Sequence, residues 1–195
     1  MRNILLSFIC IASLTACNNP SANSNKPAET AAAPAPKGPV QSKLDEAGTK
    51  ALMNVVNAYY EVKNAMVATK AADATTAATK LSVAADSMAA TLQKDSTNMA
   101  ALKQYVDTIQ MQSKAIAAIQ DESCEKQRLA LGTLSSAMYG MLKAADLKNA
   151  GVYHEYCPMA FNNKGAYWLS SESEIKNPYF GKKMLECGEV TDSLK

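Results

Sequence analysis

Side chains that bind soft metal ions are concentrated near the end of the chain. His154, Cys157 and Met159 place an imidazole, a thiol and a thioether in one short stretch, and Met184 and Cys187 add a second thioether and thiol. Thiolate and thioether ligands select Cu(I), or the chemically similar Ag(I), whereas zinc takes thiolate and imidazole but seldom thioether. These five residues predict a metal site, with Cu(I) as the suspected cofactor.

Short local elements must position these ligands. Asn177 followed by Pro178 is typical of a helix start and Gly188 of a helix end, so we expect a short final helix over residues 179–186. The second thioether and thiol, three positions apart, would share one face of that helix. The imidazole and first thiol have the same separation, so two arms with two ligands each could converge on one ion.

The same cysteines allow another interpretation in an oxidising compartment. Cys157 and Cys187 could form a disulfide that staples the tail to the rest of the domain, which typically contributes about 3 kcal/mol. Met159 and Met184 would then pack against aromatic rings, and His154 would be an ordinary core or surface residue. A thiol pair that switches between the two states is a third alternative.

Cys124 is left over in each of these interpretations. It lies at a predicted helix start, where the helix dipole lowers a thiol pKa, so it could be reactive, a third sulfur ligand or unpaired. We do not count it among the predicted ligands.

Three segments of the tail also resemble a known family. They are residues 153–160 (YHEYCPMA), 164–170 (KGAYWLS) and 177–188 (NPYFGKKMLECG). Together they resemble an uncharacterised periplasmic domain that occurs as free lipoproteins and fused to the adaptor (membrane-fusion) subunits of copper and silver efflux pumps. The resemblance covers the last forty or so residues strongly and the preceding helices loosely. It implies heavy-metal handling and an efflux-pump adaptor as a partner, and all five predicted ligands are present.

The rest of the chain indicates a helical scaffold. From Leu44 to about Ala145, apolar residues recur at steps of three and four in four separate stripes, the period of an amphipathic α-helix. Polar breaks between the stripes are short, which favours antiparallel neighbours. The sequence therefore predicts an all-α fold: an up-and-down four-helix bundle with an irregular aromatic-rich C-terminal segment and the short final helix. Asp73, Thr97 and Ser123 are the expected helix N-caps.

The amino terminus predicts export and lipid attachment. A basic start precedes an apolar run from Ile4 to Leu14, and small residues then precede Cys17. This resembles a bacterial lipoprotein signal, so we expect a signal peptide at 1–16, lipidation of Cys17, a disordered Pro- and Ala-rich tether over 17–40 and a helical domain over 41–195 that contains the metal-site segment 152–188. Asn18 is not the aspartate that retains some lipoproteins in the inner membrane, which favours the outer membrane.

Charge and motif content narrow the function. The formal net charge is +2, and no Lys and Arg cluster is interleaved with aromatics, so we expect no nucleic-acid partner. No Cys-x-x-Cys or Cys-x-x-Cys-His motif occurs, and no third group orients His154 and Cys157 for catalysis, so we do not expect an enzyme. The expected function is a membrane-tethered periplasmic Cu(I) or Ag(I) binding protein accessory to efflux, and the alternative is a disulfide-stapled interaction module without metal.

Overall fold

The computed structural model describes residues 38–194. The predicted signal peptide, the lipidated Cys17 and the tether up to residue 37 lie outside the described residues. Within the described part, no helix is both long enough and apolar enough to cross a membrane.

Four long helices form the scaffold: α1 (Glu46–Val67), α2 (Ala71–Leu92), α3 (Ser96–Ala118) and α4 (Glu125–Ala144). Each helix packs against the next in the chain, as short connections require of antiparallel neighbours. The apolar side chains of the four predicted stripes are buried, apart from Ile119 at the end of the third stripe, which is partly exposed. The predicted up-and-down arrangement of four helices is confirmed.

The predicted N-caps are displaced by one to three residues. The side chain of Asp95 caps α3 by accepting a hydrogen bond from the Asn98 N–H at 3.1 Å. Cys124 precedes α4 in the left-handed region, with φ of 63°, and the nearby Asp121 carboxylate accepts from the Lys126 N–H. At α3 and α4, a carboxylate before the helix therefore satisfies a free amide of the first turn, a position that spacing alone did not distinguish.

The C-terminal segment is a small antiparallel sheet, so the prediction of an all-α fold is wrong. Its strands are β1 (Val152–Cys157), β2 (Ala166–Ser170) and β3 (Glu189–Leu194), in the order β2-β1-β3. Valine, tyrosine and tryptophan favour the pleated conformation, and the turn after β1 contains consecutive residues in the left-handed region. The segment predicted to be irregular therefore contains β1 and β2 as regular strands, while residues 171–188 are loop apart from one 3-10 turn, and the protein is mostly helical.

The predicted short final helix over 179–186 is also wrong. Only Gly181–Lys183 form a single 3-10 turn. The Asn177 side chain does accept a hydrogen bond from the Tyr179 N–H at 2.8 Å, as an N-cap would. Its amide nitrogen, however, donates to the Cys187 carbonyl at 2.7 Å, which closes a loop where a helix would have continued.

The sheet occupies the side of the bundle where the first and last helices barely touch. Strand β2 packs on α4 and reaches α1. The Tyr59 hydroxyl hydrogen-bonds Ser135 of α4 and accepts from the Leu169 N–H of β2. The hydroxyls of Tyr60 and Tyr179 donate to further carbonyls along the same strand. Tyrosine hydroxyls thus satisfy three backbone groups of β2 and tie this strand to α1 and to the C-terminal loop.

Arg128 fastens the C-terminal loop to one end of the bundle. Its guanidinium is buried and donates to the carbonyls of Met66, Ser123 and Pro178 and to the Thr69 hydroxyl, at 2.7 to 2.9 Å. These contacts join the end of α1, the start of α4 and the loop that leads to the second pair of predicted ligands.

Candidate metal centre

The two tail cysteines meet at the end of β1. Cys157 is the last residue of this strand and is fully buried, and Cys187 lies in the turn before β3 and is partly exposed. Their Sγ atoms are 2.9 Å apart. A disulfide needs about 2.05 Å, and two thiolates on a tetrahedral ion with 2.3 Å bonds stand about 3.8 Å apart. The pair can therefore close into a disulfide or open by about 1 Å around an ion.

Asn177 and Gly188 fix the conformation of the loop that carries Cys187. Asn177 is buried, donates its side-chain amide to the Cys187 carbonyl, and donates its backbone N–H to the Leu185 carbonyl at 2.8 Å. Gly188 has a φ of 148°, and a Cβ there would come within 2.8 Å of the Trp168 ring. Only glycine lets the chain turn this closely over the tryptophan, which brings Cys187 beside β1.

The neighbouring sulfur affects the ionisation of Cys187. The hydrogen bond with Cys157, together with partial burial, raises the pKa of Cys187 to about 11. Cys187 therefore keeps its proton at neutral pH unless a cation replaces it. Metal binding at this pair would therefore release protons.

Both predicted thioether residues border the same part of the surface. Met184 and Cys187 line one shallow depression, and the Cys187 N–H donates to the Met184 carbonyl at 3.2 Å. Met159, which is 46 % exposed, lines a larger depression of about 770 Å³ together with Met184. Exposed Leu129 adds an apolar wall. Four of the five predicted ligands therefore lie in one region.

His154 lies apart from the sulfur atoms. Its ring is stacked between Tyr139 of α4, at a centroid distance of 3.8 Å, and Tyr167 of β2, at 4.6 Å. The prediction that His154 and Cys157 share a face holds only for a helix, in which residues three apart lie on the same side. In a strand, residues three apart point to opposite faces, so the imidazole and the Cys157 thiol diverge.

Hydrogen bonding determines the tautomer of this imidazole. The Thr191 hydroxyl donates its one proton to the His154 carbonyl at 2.9 Å and is also 3.1 Å from Nδ1. Nδ1 must then carry the proton, which leaves Nε2 with its lone pair. Burial lowers the pKa of His154, an effect that the Asp192 carboxylate opposes.

Sequence reasoning missed two buried titratable side chains near each other on the sulfur side of β1, a carboxyl and an amine. Glu155 is fully buried, and burial raises the pKa of its carboxyl to about 8. Lys63 of α1 offsets part of that rise, and burial lowers its own pKa. The Trp168 indole N–H lies near the carboxyl, yet neither group has a partner at hydrogen-bonding geometry. No local motif marks these residues, because their burial depends on how the sheet docks.

Other metal-binding arrangements find no support among residues 38–194. No three His, Cys, Asp or Glu side chains are grouped there so as to bind one ion. Cys124 is fully buried, and burial raises its pKa, which disfavours the reactive thiolate. A metal centre in this region must therefore use thioether ligands beside the thiol pair.

Comparison with known proteins identifies the helical part. Residues 55–150 match the model of a family described as "Protein of unknown function (DUF3347)". These residues form a DUF3347 domain. The match covers most of α1, all of the other three helices and the connection to β1, and it ends before the sheet, so the DUF3347 domain is here a helical bundle. Comparisons with curated proteins and with solved structures gave no match.

Proposed function

We propose that this chain is a membrane-tethered periplasmic protein that binds a soft monovalent cation, Cu(I) or Ag(I), as an accessory to heavy-metal efflux or homeostasis. The observation that carries the proposal is the pair of thiols 2.9 Å apart with two thioether residues at the surface beside them. Thiolate and thioether sulfur is the ligand chemistry that selects Cu(I).

The number and type of the available ligands favour a soft monovalent ion. Zinc in structural sites takes four thiolate, imidazole or carboxylate ligands, and the described residues bring only Cys157 and Cys187 together. Cu(I) is satisfied by two or three soft ligands, and Met184 is the thioether nearest in the chain to the thiol pair. We therefore reduce the proposed ligand set to both cysteines and Met184, with Met159 at the rim and His154 outside the site.

The position of the site supports access by a partner protein. The chain enters the domain beside the end of α4, where Gln41 pairs with Lys148. The methionine-lined depression borders the first turn of α4, at Glu125 and Arg128. A helix of 20 residues is about 30 Å long. The site therefore lies at the opposite end of α4 from the point where the predicted tether joins. An efflux-pump adaptor could reach the site there.

The thiol geometry also favours a second candidate function. From a separation of 2.9 Å, closing to a disulfide and opening around an ion both need a movement of about 0.9 Å, so the pair fits a closed disulfide as well as a metal site. The protein would then be a stapled helical interaction module that docks a partner through its exposed apolar rim, Leu129 and Met159.

An anaerobic Cu(I) titration of the reduced full-length chain against a competing chelator tests the metal proposal. We expect about one tightly bound ion per chain and loss of most of the affinity in Cys157→Ser and in Cys187→Ser. Cys124→Ser is the matched control, because Cys124 is buried and is not grouped with the pair into a possible metal site, and its affinity should equal that of the wild type.

Unchanged affinity in both tail variants would overturn the metal proposal. A thiol count on the denatured, unreduced protein then addresses the second candidate. If Cys157 and Cys187 react with an alkylating reagent only after reduction, the disulfide is present. If both react without reduction, the protein is not stapled.

A further inference from the structure

The two tail sulfurs differ sharply in access. Cys157 is 0 % exposed and lies among core residues at the end of β1. Cys187 is partly exposed and lines an open depression with Met184 and Leu185. A reagent in solution can therefore reach the Sγ of Cys187, whereas Cys157 is shielded by the sheet and the loop.

The loop keeps its position independently of a bond between the sulfurs. Asn177 holds the Cys187 carbonyl at 2.7 Å, and the Leu185 carbonyl accepts the Asn177 N–H at 2.8 Å. Gly188 sets the turn into β3. Since these contacts do not involve sulfur, the bond between the cysteines can open and close without releasing the loop.

We infer that Cys187 is an exchange sulfur, at which an external protein dithiol of the Cys-x-x-Cys class attacks and opens a Cys157–Cys187 disulfide, with Cys157 as the buried leaving group. The chain has no Cys-x-x-Cys motif of its own, so the reductant must come from another protein. The inference concerns the same thiol pair as the proposed metal site but does not depend on metal binding.

The exchange balances in two steps. The partner thiolate attacks the Sγ of Cys187 and forms a mixed disulfide, and Cys157 leaves as a thiolate that takes up a proton. The second partner thiol then loses its proton and attacks the partner's own sulfur, so that Cys187 leaves as a thiolate and is protonated. One disulfide in this chain is reduced by two electrons, and the partner dithiol is oxidised to a disulfide.

Trapping the mixed disulfide tests the inference. The probe is a thioredoxin-type Cys-x-x-Cys protein whose second cysteine is replaced by serine, incubated with the oxidised, metal-free full-length chain. Peptide mapping of the trapped adduct should locate the bond at Cys187. An adduct found mainly at Cys157, or no adduct while dithiothreitol still reduces the bond, would overturn the inference.

A second measurement compares the two sulfurs one at a time. Reduced Cys157→Ser and Cys187→Ser variants are treated with glutathione disulfide, and adducts are mapped by mass. In the folded protein, Cys187 in the Cys157→Ser variant should react about tenfold or more faster than Cys157 in the Cys187→Ser variant. In urea the two should react alike, which shows that the fold causes the difference. Equal rates in the folded state would contradict the inference, and because no metal is present the Cu(I) proposal would stand unaffected.

Discussion

The bundle and the C-terminal sheet bury different kinds of side chain. The helices bury mostly leucine, isoleucine, valine, methionine and alanine at helical spacing, and polar side chains such as Lys63 and Arg128 are a smaller share of what they bury. The sheet and its loop bury His154, Glu155 and Asn177, and a carboxyl without a partner costs stability. This difference indicates that the bundle supplies stability, while the sheet carries the chemically specialised groups.

The largest expected effect comes from Trp168 of β2, the largest of the fully buried side chains among the described residues. Its side chain is fully buried. Trp168→Ala should lower the free energy of unfolding by about 4 kcal/mol, as for other buried aromatic truncations. Urea unfolding monitored by helical circular dichroism measures this.

Two controls make the Trp168 result interpretable. Leu134→Ala, in the buried face of α4, should cost about 3 kcal/mol, and Val83→Ala, which is 61 % exposed on α2, less than about 0.5 kcal/mol. If Trp168→Ala left the helical transition unchanged, the sheet and the bundle would be separate cooperative units.

Arg128 is expected to have the next largest effect, because it joins the two regions. Arg128→Ala should cost about 3 kcal/mol, since two buried carbonyls and one partly buried carbonyl lose a charged donor. Arg128→Lys should recover only part of this, because an ammonium cannot reach all of those acceptors from one position. Full recovery in the lysine variant, measured by thermal or urea unfolding, would show that charge alone matters there.

Glu155 predicts an unusual pH dependence in the sheet region. Burial keeps its carboxyl protonated in the folded protein up to a pKa of about 8, whereas in the unfolded chain it ionises near the ordinary glutamate pKa of 4.5. The folded state therefore binds more protons between these values, and stability should fall as pH rises from 5 to 8, by on the order of 3 kcal/mol.

Glu155→Gln is the matched variant for this prediction. It should flatten the decline in the free energy of unfolding between pH 5 and 8, because the amide does not titrate. A wild-type stability that stays constant or rises across that range would contradict the assigned burial of this carboxyl.

The smallest effect is expected at His154. His154→Phe keeps a ring between Tyr139 and Tyr167 and loses the hydrogen bond to Thr191. We expect a change in stability within about 1 kcal/mol and an unchanged Cu(I) affinity in the chelator titration. A large loss of affinity would show that the imidazole reaches the sulfur atoms, as the spacing argument assumed.

The predictability of the two regions differs for a physical reason. Each bundle helix has one buried face, so its apolar period is visible in the sequence, and the four stripes predicted four helices. Strand β1 buries residues on both faces, with His154 against the tyrosines and Glu155 towards α1, so no alternation of apolar and polar residues was visible. Asn177 does form the hydrogen bond of an N-cap, to the Tyr179 N–H, but it stabilises a loop and not a helix.

The sequence by itself determined the helical scaffold and the sulfur-rich composition of the tail, because helix periodicity and ligand type are local properties of a chain. Only the tertiary structure decided which ligands meet. It brings Cys157 and Cys187 together because Asn177 and Gly188 turn a distant loop back onto β1, and it separates His154 because a strand alternates its side chains. Contacts between residues far apart in the chain depend on how the sheet docks against α1 and α4, which no local pattern specifies.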